Sequence, residues 1–192
     1  MALTATEVRS FGFGHVYVAP VGTDIPDTPT EALDADWADL GHVSDAGVTP
    51  NWGKAKSGVS SWQSFPDYVR MLDGVAPKSL AFALLQWNSS TLAYAFGDGG
   101  EFTEPTTGVY SYQPGEKGAS DDERAILLEA VDGDYTYRLG YRRSLNQANL
   151  SVPFVGSALA PLNIDAVCLE PDGGEDAWFF ITDDPAFAPL GS

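Results

Sequence analysis

Short runs of alternating apolar and polar residues, broken by clusters of Gly, Pro, Asn and Asp, predict a β-rich fold. The first run, His15-Val16-Tyr17-Val18-Ala19, is a strand closed by Pro20. A polar stretch from Gly22 to Ala35, carrying Pro26 and Pro29, is too long for a simple hairpin turn. Trp37 to Val43 predicts a short second strand before the turn-like Ser44-Asp45-Ala46-Gly47. Residues 47–87 read as one extended hairpin or meander: Val48 to Gln63 alternates loosely, and Tyr68 to Leu72 leads to an Asp73-Gly74 turn. Ser79 to Gln86 is mostly apolar and, placed after Pro77, is predicted as a buried strand. Further strands are predicted at Val109–Tyr112, Ala125–Val131, Tyr135–Tyr141, Ala158–Leu169 and Trp178–Thr182. Asp132-Gly133-Asp134 is the strongest hairpin signal, because its Gly adopts positive φ without a steric penalty.

One segment, about 89–97, carries helix punctuation. Asn88 or Ser89 offers an N-cap oxygen, and Gly97 is a natural residue to end the helix in a left-handed conformation. Leu92, Ala95 and Phe96 would share the face that packs on a sheet. With no internal repeat and no linker, the 192 residues are expected to form a single, mainly β domain. It should be sandwich- or barrel-like, with one short flanking α-helix and extended loops and terminal arms.

Composition supports a packed domain: 44% of residues are apolar, and 20 Gly and 13 Pro are scattered as turn punctuation. The net charge of −17, from 27 acidic and 10 basic residues, argues against clamping nucleic acid, which needs Lys and Arg to displace phosphate counterions. Two readings of that acidity stay open: it keeps a concentrated protein soluble, or it lets a polyanion pass without being held. Cys168 is the only cysteine, so there is no disulfide framework, and its apolar run suggests a small core side chain. Met1 to Gly14 lacks a basic region followed by an apolar stretch, and nothing approaches the roughly 18 apolar residues of a membrane span. The expectation is synthesis and folding in a cytoplasm, without membrane insertion.

No catalytic constellation can be assembled. His15 and His42 each lie in a strand-like run without a nucleophile motif, and GxSxG, HExxH and Walker A patterns are absent. The acidic clusters Asp34-Ala35-Asp36-Trp37-Ala38-Asp39 and Asp172-Gly173-Gly174-Glu175-Asp176 do not match the spacing of a calcium loop. No catalytic, cofactor or metal residues are therefore assigned. Trp52, Trp62 and Trp87 would suit a sugar groove, but core or subunit-interface packing is favoured, because both are rich in Trp.

The charge is segregated along the chain. Residues 1–46 hold eight acids against Arg9, and residues 158–192 hold seven acids and no base. Eight of the ten basic residues fall in segments 47–87 and 124–157. In a head-to-tail ring or stack, such segregation is what complementary surfaces look like. Lys54, Lys56, Arg70, Arg138, Arg142 and Arg143 are therefore the candidate subunit-interface residues. Their expected partners are the acid-rich segments 24–45, 98–123 and 170–184 of another copy.

The order of these features resembles a family. Gly14 to Thr23, then Pro26, then Trp37 to Val48 resemble the opening of major tail proteins (tail tube proteins) of long non-contractile-tailed bacteriophages, especially those of actinobacteria. Trp62-Gln63, Tyr68-Val69-Arg70 and the apolar strand feeding Asn88, Thr91-Leu92 and Phe96-Gly97 continue that order over roughly residues 12–182. The resemblance implies an N-terminal arm at 1–14, a tail tube domain at 15–182 and a C-terminal tail at 183–192. It also implies hexameric rings whose inner strands join into a continuous β-barrel and stack through loops and terminal arms. Implied neighbours are further copies of the chain, the tape measure, tail terminator and distal tail proteins, and double-stranded DNA in transit without specific binding. The family's lumen is commonly electronegative, whereas residues 47–87, the expected inner hairpin, are slightly basic. Alternatives are another virion part, such as a tail terminator or head decoration protein, or a carbohydrate-binding β-sandwich module.

Overall fold

The computed structural model describes residues 7–116 and 121–189. In chain order the elements begin with β1 (Phe13–Pro20), β2 (Ala38–Asp39), β3 (Thr49–Trp52), β4 (Lys56–Val59), β5 (Arg70–Asp73) and β6 (Lys78–Leu84). They continue with α1 (Ser89–Phe96), β7 (Glu101–Thr106), β8 (Val109–Gln113), β9 (Arg124–Asp132), β10 (Tyr135–Asn146), β11 (Leu162–Cys168) and β12 (Trp178–Thr182). A 3₁₀ turn at Pro185–Phe187 follows.

The principal sheet is antiparallel, with strand order β2-β1-β9-β10-β11-β6-β3, and β12 pairs with β10. Residues 137–141 of β10 pair with β12, whereas residues 144–146 pair with β11. Its ladder to β9 shifts register between Tyr141 and Ser144, so the sheet bends where β10 changes partner. The expected turn between β9 and β10 forms: Asp132 pairs with Tyr135, and Gly133 takes φ +63°.

Both faces of the central strands are covered. Val16, Val18, Ile126, Leu139 and Tyr141 enter a main core with β6, β11 and the helix. Ala19, Ala125 and Leu127 enter a second, smaller core closed by Trp37, with Ile25 and Leu33 from the long 22–35 loop. This double burial explains the unbroken apolar run Ala125-Ile126-Leu127, which an exposed face would have interrupted. Gly140 is required by the packing. A Cβ there would lie 2.4 Å from the Ile126 carbonyl oxygen and 2.5 Å from the Phe179 ring.

The helix is capped as expected: the Thr91 N–H donates to Asn88 Oδ1, the Asn88 N–H donates to Thr91 Oγ1, and Gly97 is left-handed. Thr91, Tyr94 and Ala95 are buried; of the predicted face, Ala95 is buried and Leu92 packs partly buried against the main core, whereas Phe96 is 43% exposed. Phe96 instead packs on Tyr112 of β8, their rings 4.6 Å apart. Thr91 is fully buried because its hydroxyl donates to the Gln86 carbonyl, so a polar residue claims the position facing the sheet.

Three local expectations are corrected. The predicted strand from Trp37 to Val43 shrinks to Ala38–Asp39, because Gly41 turns the chain at φ +77° and its N–H donates to Asp39 Oδ1. β7 was not foreseen, since Thr-Glu-Pro reads as loop. Pro105 is accommodated where the β7–β8 register shifts between Thr103 and Thr106. Asp73-Gly74 does not reverse the chain: the Gly74 N–H donates to the Ala55 carbonyl and the ladder runs on. The reversal lies in residues 60–69 instead.

Candidate assembly surfaces

Residues 53–77 form an arm. Its root is the pairing of β3 with β6 at the margin of the main sheet, and its outer part is the separate two-stranded sheet of β4 and β5. Three backbone hydrogen bonds join these parts into one ribbon: Gly53 N–H to Pro77 O, Gly74 N–H to Ala55 O and Val69 N–H to Val59 O. The expected extended hairpin thus closes within the protomer, its two limbs pairing with each other.

Along the arm only Ser64 and Ala76 are even partly buried. Yet its residues are not those of a solvated loop: Trp62 is 92% and Phe65 79% exposed, and Tyr68, Val69, Met71, Leu72 and Val75 are also exposed. A water-facing hairpin normally alternates apolar and polar faces. An apolar patch of this kind marks an interaction site.

The six candidate cations divide into two groups. Lys54, Lys56 and Arg70 lie on the arm; Lys56 faces Asp73 directly across the ladder, Nζ to Oδ1 at 2.6 Å. Among the described residues no ion pair is found for Lys54 or Arg70. The other three are engaged within the protomer. Arg138 is 4% exposed, with Nε donating to Glu129 Oε2 at 2.8 Å and Nη1 donating to the Thr28 carbonyl at 3.0 Å, which ties the 22–35 loop to the sheet. Arg143 Nε donates to Glu123 Oε2 at 2.6 Å and Nη1 to Asp172 Oδ1 at 3.3 Å. The Glu123 carboxylate, foremost, raises the Arg143 pKa above its usual value. Arg142 lies 3.6 Å from Glu175. Arg142 and Arg143 thus meet acids of segments 98–123 and 170–184 within the same chain, whereas Arg138 meets Glu129 across the β9–β10 ladder.

The chain's two ends are latched. Arg9 bonds to Asp184, and the Tyr137 hydroxyl donates to the same carboxylate oxygen. Burial pushes the Asp184 carboxyl up, but hydrogen bonds from Tyr137 and the Ala186 N–H, with Arg9 beside it, outweigh that and hold it below the usual range. Phe11 packs edge-on against the Tyr137 ring at 5.0 Å. Residues 1–6 and 190–192 of the predicted terminal arms lie outside the described residues.

An open cleft of about 1000 Å³ lies between β1, β9, β10 and β12 on one side and residues 42–50 on the other. Val16 and Leu139 of the main core form its floor, and Phe13, Phe180 and Trp52 stand at its walls. Its lining includes His15, Asp39, His42, Asp45 and Tyr137, with His15 Nδ1 2.8 Å from Asp39 Oδ2.

Nothing in this arrangement resembles a reaction centre. Among the described residues no three His, Cys, Asp or Glu side chains converge as a metal site would need. Asp172 is engaged by Arg143. Cys168 is half-buried, and desolvation by burial raises its thiol pKa. No helix among the described residues is long and apolar enough to cross a membrane. A family model described as phage tail tube protein matches residues 1–191. No curated protein matches the sequence.

Proposed function

The chain belongs to the phage tail tube protein family, and from that premise we propose that it self-assembles into stacked hexameric rings whose channel conducts double-stranded DNA. Family membership makes it a structural subunit of the virion tail and not an enzyme. The finer reading is carried by one observation: an arm that pairs only with itself and holds Trp62 and Phe65 in water. A monomer gains nothing from that exposure, whereas a repeating assembly buries it at every contact.

Within this reading the interface cations are Lys54, Lys56 and Arg70 of the arm. Arg142 and Arg143 brace the bend of the sheet against the protomer's own acidic loops. A chain of net charge −17 fits a channel that DNA crosses without being held. Tape measure, tail terminator and distal tail proteins would meet the assembly inside and at its ends. Negative-stain microscopy of the concentrated protein should show tubes or six-fold rings, and added duplex DNA should not be retarded at physiological salt. Filaments without six-fold symmetry would overturn the ring, and tight DNA binding would overturn passive conduction.

A further inference from the structure

We propose that the open cleft between β1, β9, β10, β12 and residues 42–50 is the receptor for the arm of a second copy of this chain. This rests on the self-assembly reading and names the two surfaces that meet.

The cleft is the unfilled end of the main core. Val16 and Leu139, which belong to that core, also line it, and Phe13 and Phe180 stand exposed at its walls. The cleft is open to solvent and mostly apolar in its lining, and its volume of about 1000 Å³ has room for several large side chains. The protomer's own arm does not fill it, since that arm is exposed almost throughout. The arm nevertheless starts at the cleft's margin, because Trp52 at the root of the arm also lines the cleft. From Gly53 to Ser61, at about 3.3 Å per strand residue, it carries its tip roughly 25 Å outward. A compact chain of this length has a radius of gyration of about 16 Å. The tip therefore reaches into a neighbour's volume.

Chemistry matches on both sides. The arm brings Trp62, Phe65 and Tyr68 with Lys54 and Arg70, whereas the cleft offers apolar walls with Asp39 and Asp45 and has no Lys or Arg among its lining residues. Three aromatics burying about 150–250 Å² each would cover roughly 450–750 Å². That approaches the roughly 800 Å² per partner of a standard stable interface. Donor and receptor are different patches, so the contact is heterologous and propagates from copy to copy.

Two variants test this in a Cys168→Ser background, one with Ser60→Cys beside the aromatic tip and the other with Phe13→Cys, both at exposed positions. They are mixed and treated with a short bis-maleimide. The mixed 60-to-13 product should exceed either self-product several-fold, and Arg70→Glu in the arm partner should reduce it. Phe180→Cys, on another wall, serves as a second receptor probe should Phe13→Cys melt early. Dominance of 60-to-60 or 13-to-13 products, or no mixed product with either probe, overturns the proposal. Tubes without the mixed product sink the contact alone, whereas the mixed product without tubes or rings sinks the tube reading and keeps the contact.

Discussion

Truncating the tip of the arm with Trp62→Ala and Phe65→Ala should separate folding from assembly. Both side chains are nearly free in the protomer, at 92% and 79% exposure, so their loss removes no core packing. The monomer should melt unchanged, within the roughly 0.5 kcal/mol usual for surface substitutions. In an assembly each buried aromatic removes about 150–250 Å² from water. At about 25 cal/mol per Å² that is roughly 4–6 kcal/mol before ordering costs are subtracted. Truncating a well-packed interface aromatic typically costs about 2–4 kcal/mol. With about 1.4 kcal/mol per factor of ten, the critical concentration should rise roughly 30- to 700-fold for each such anchor. Pelleting across a concentration series measures it, with thermal unfolding of the soluble fraction as the folding control. Assembly at the wild-type critical concentration would refute the arm as an interface, and a monomer melting many degrees lower would refute its independence from the core.

Arg138→Met should destabilise the monomer by about 1–3 kcal/mol in urea titration, because it removes the partner of the partly buried Glu129 carboxylate and a donor to the Thr28 carbonyl; no change would show that this contact is unimportant. Reversing Arg142 and Arg143 to Glu should lower the melting temperature of the unassembled protein, since it sets like charges against Glu123, Asp172 and Glu175 of the same chain; a normal melt with lost tubes would instead restore an intermolecular role. The Asp184 latch should respond to acid: its carboxyl pKa is depressed on folding, so its stabilisation is complete above the unfolded value of about 3.9 and is lost as pH falls through the lower folded value. Proteolysis of the strap around Arg9 should accelerate only below about pH 4, and Asp184→Asn should open it at neutral pH. Higher ionic strength should lower the critical concentration for assembly, because screening relieves repulsion between acidic subunits; a rise would show that intersubunit ion pairs dominate.

Elements whose signals are local were legible in the sequence. Asn88 and Gly97 bracket the helix, Gly133 sets the β9–β10 turn, and the alternation of β1 survives with both faces buried. Signals that depend on tertiary neighbours were not. On the helix, Leu92 and Ala95 pack inward as their spacing implies, but Thr91 is buried through its hydroxyl bond to the Gln86 carbonyl, and no hydrophobic pattern encodes that contact. Gly74 looked like a turn residue but continues a ladder, because Ala55 lies opposite it. β7 was hidden by Pro105, which a bulge absorbs. At the candidate site, charge segregation was visible but its geometry was not: spacing along the chain cannot say whether a basic strand meets an acidic loop of its own copy or of the next. For Arg138 the β9–β10 register sets Glu129 directly opposite, and for Arg142 and Arg143 the return of residues 170–177 beside β10 brings base and acid together in one protomer.

That internal pairing changes what can drive assembly. In the proposed six-membered ring, subunits of net charge −17 would together carry about −102, and exposed ion pairs are worth only about 0–1 kcal/mol each against such repulsion. With Arg138, Arg142 and Arg143 engaged inside the protomer and Lys56 facing Asp73, Lys54 and Arg70 are the two of the six candidates without an ion pair among the described residues. The favourable term must then be mainly apolar, and the arm is where the protomer leaves large aromatic surface in water. The two terms act at different ranges. Charge repulsion extends over a Debye length of about 8 Å at physiological salt and keeps dispersed subunits apart. Apolar burial acts only on contact, after the tip has reached a neighbour. A chain built this way stays soluble while dilute and assembles once concentration or a preformed end brings arm and receptor together, which suits a subunit that must accumulate before it is used.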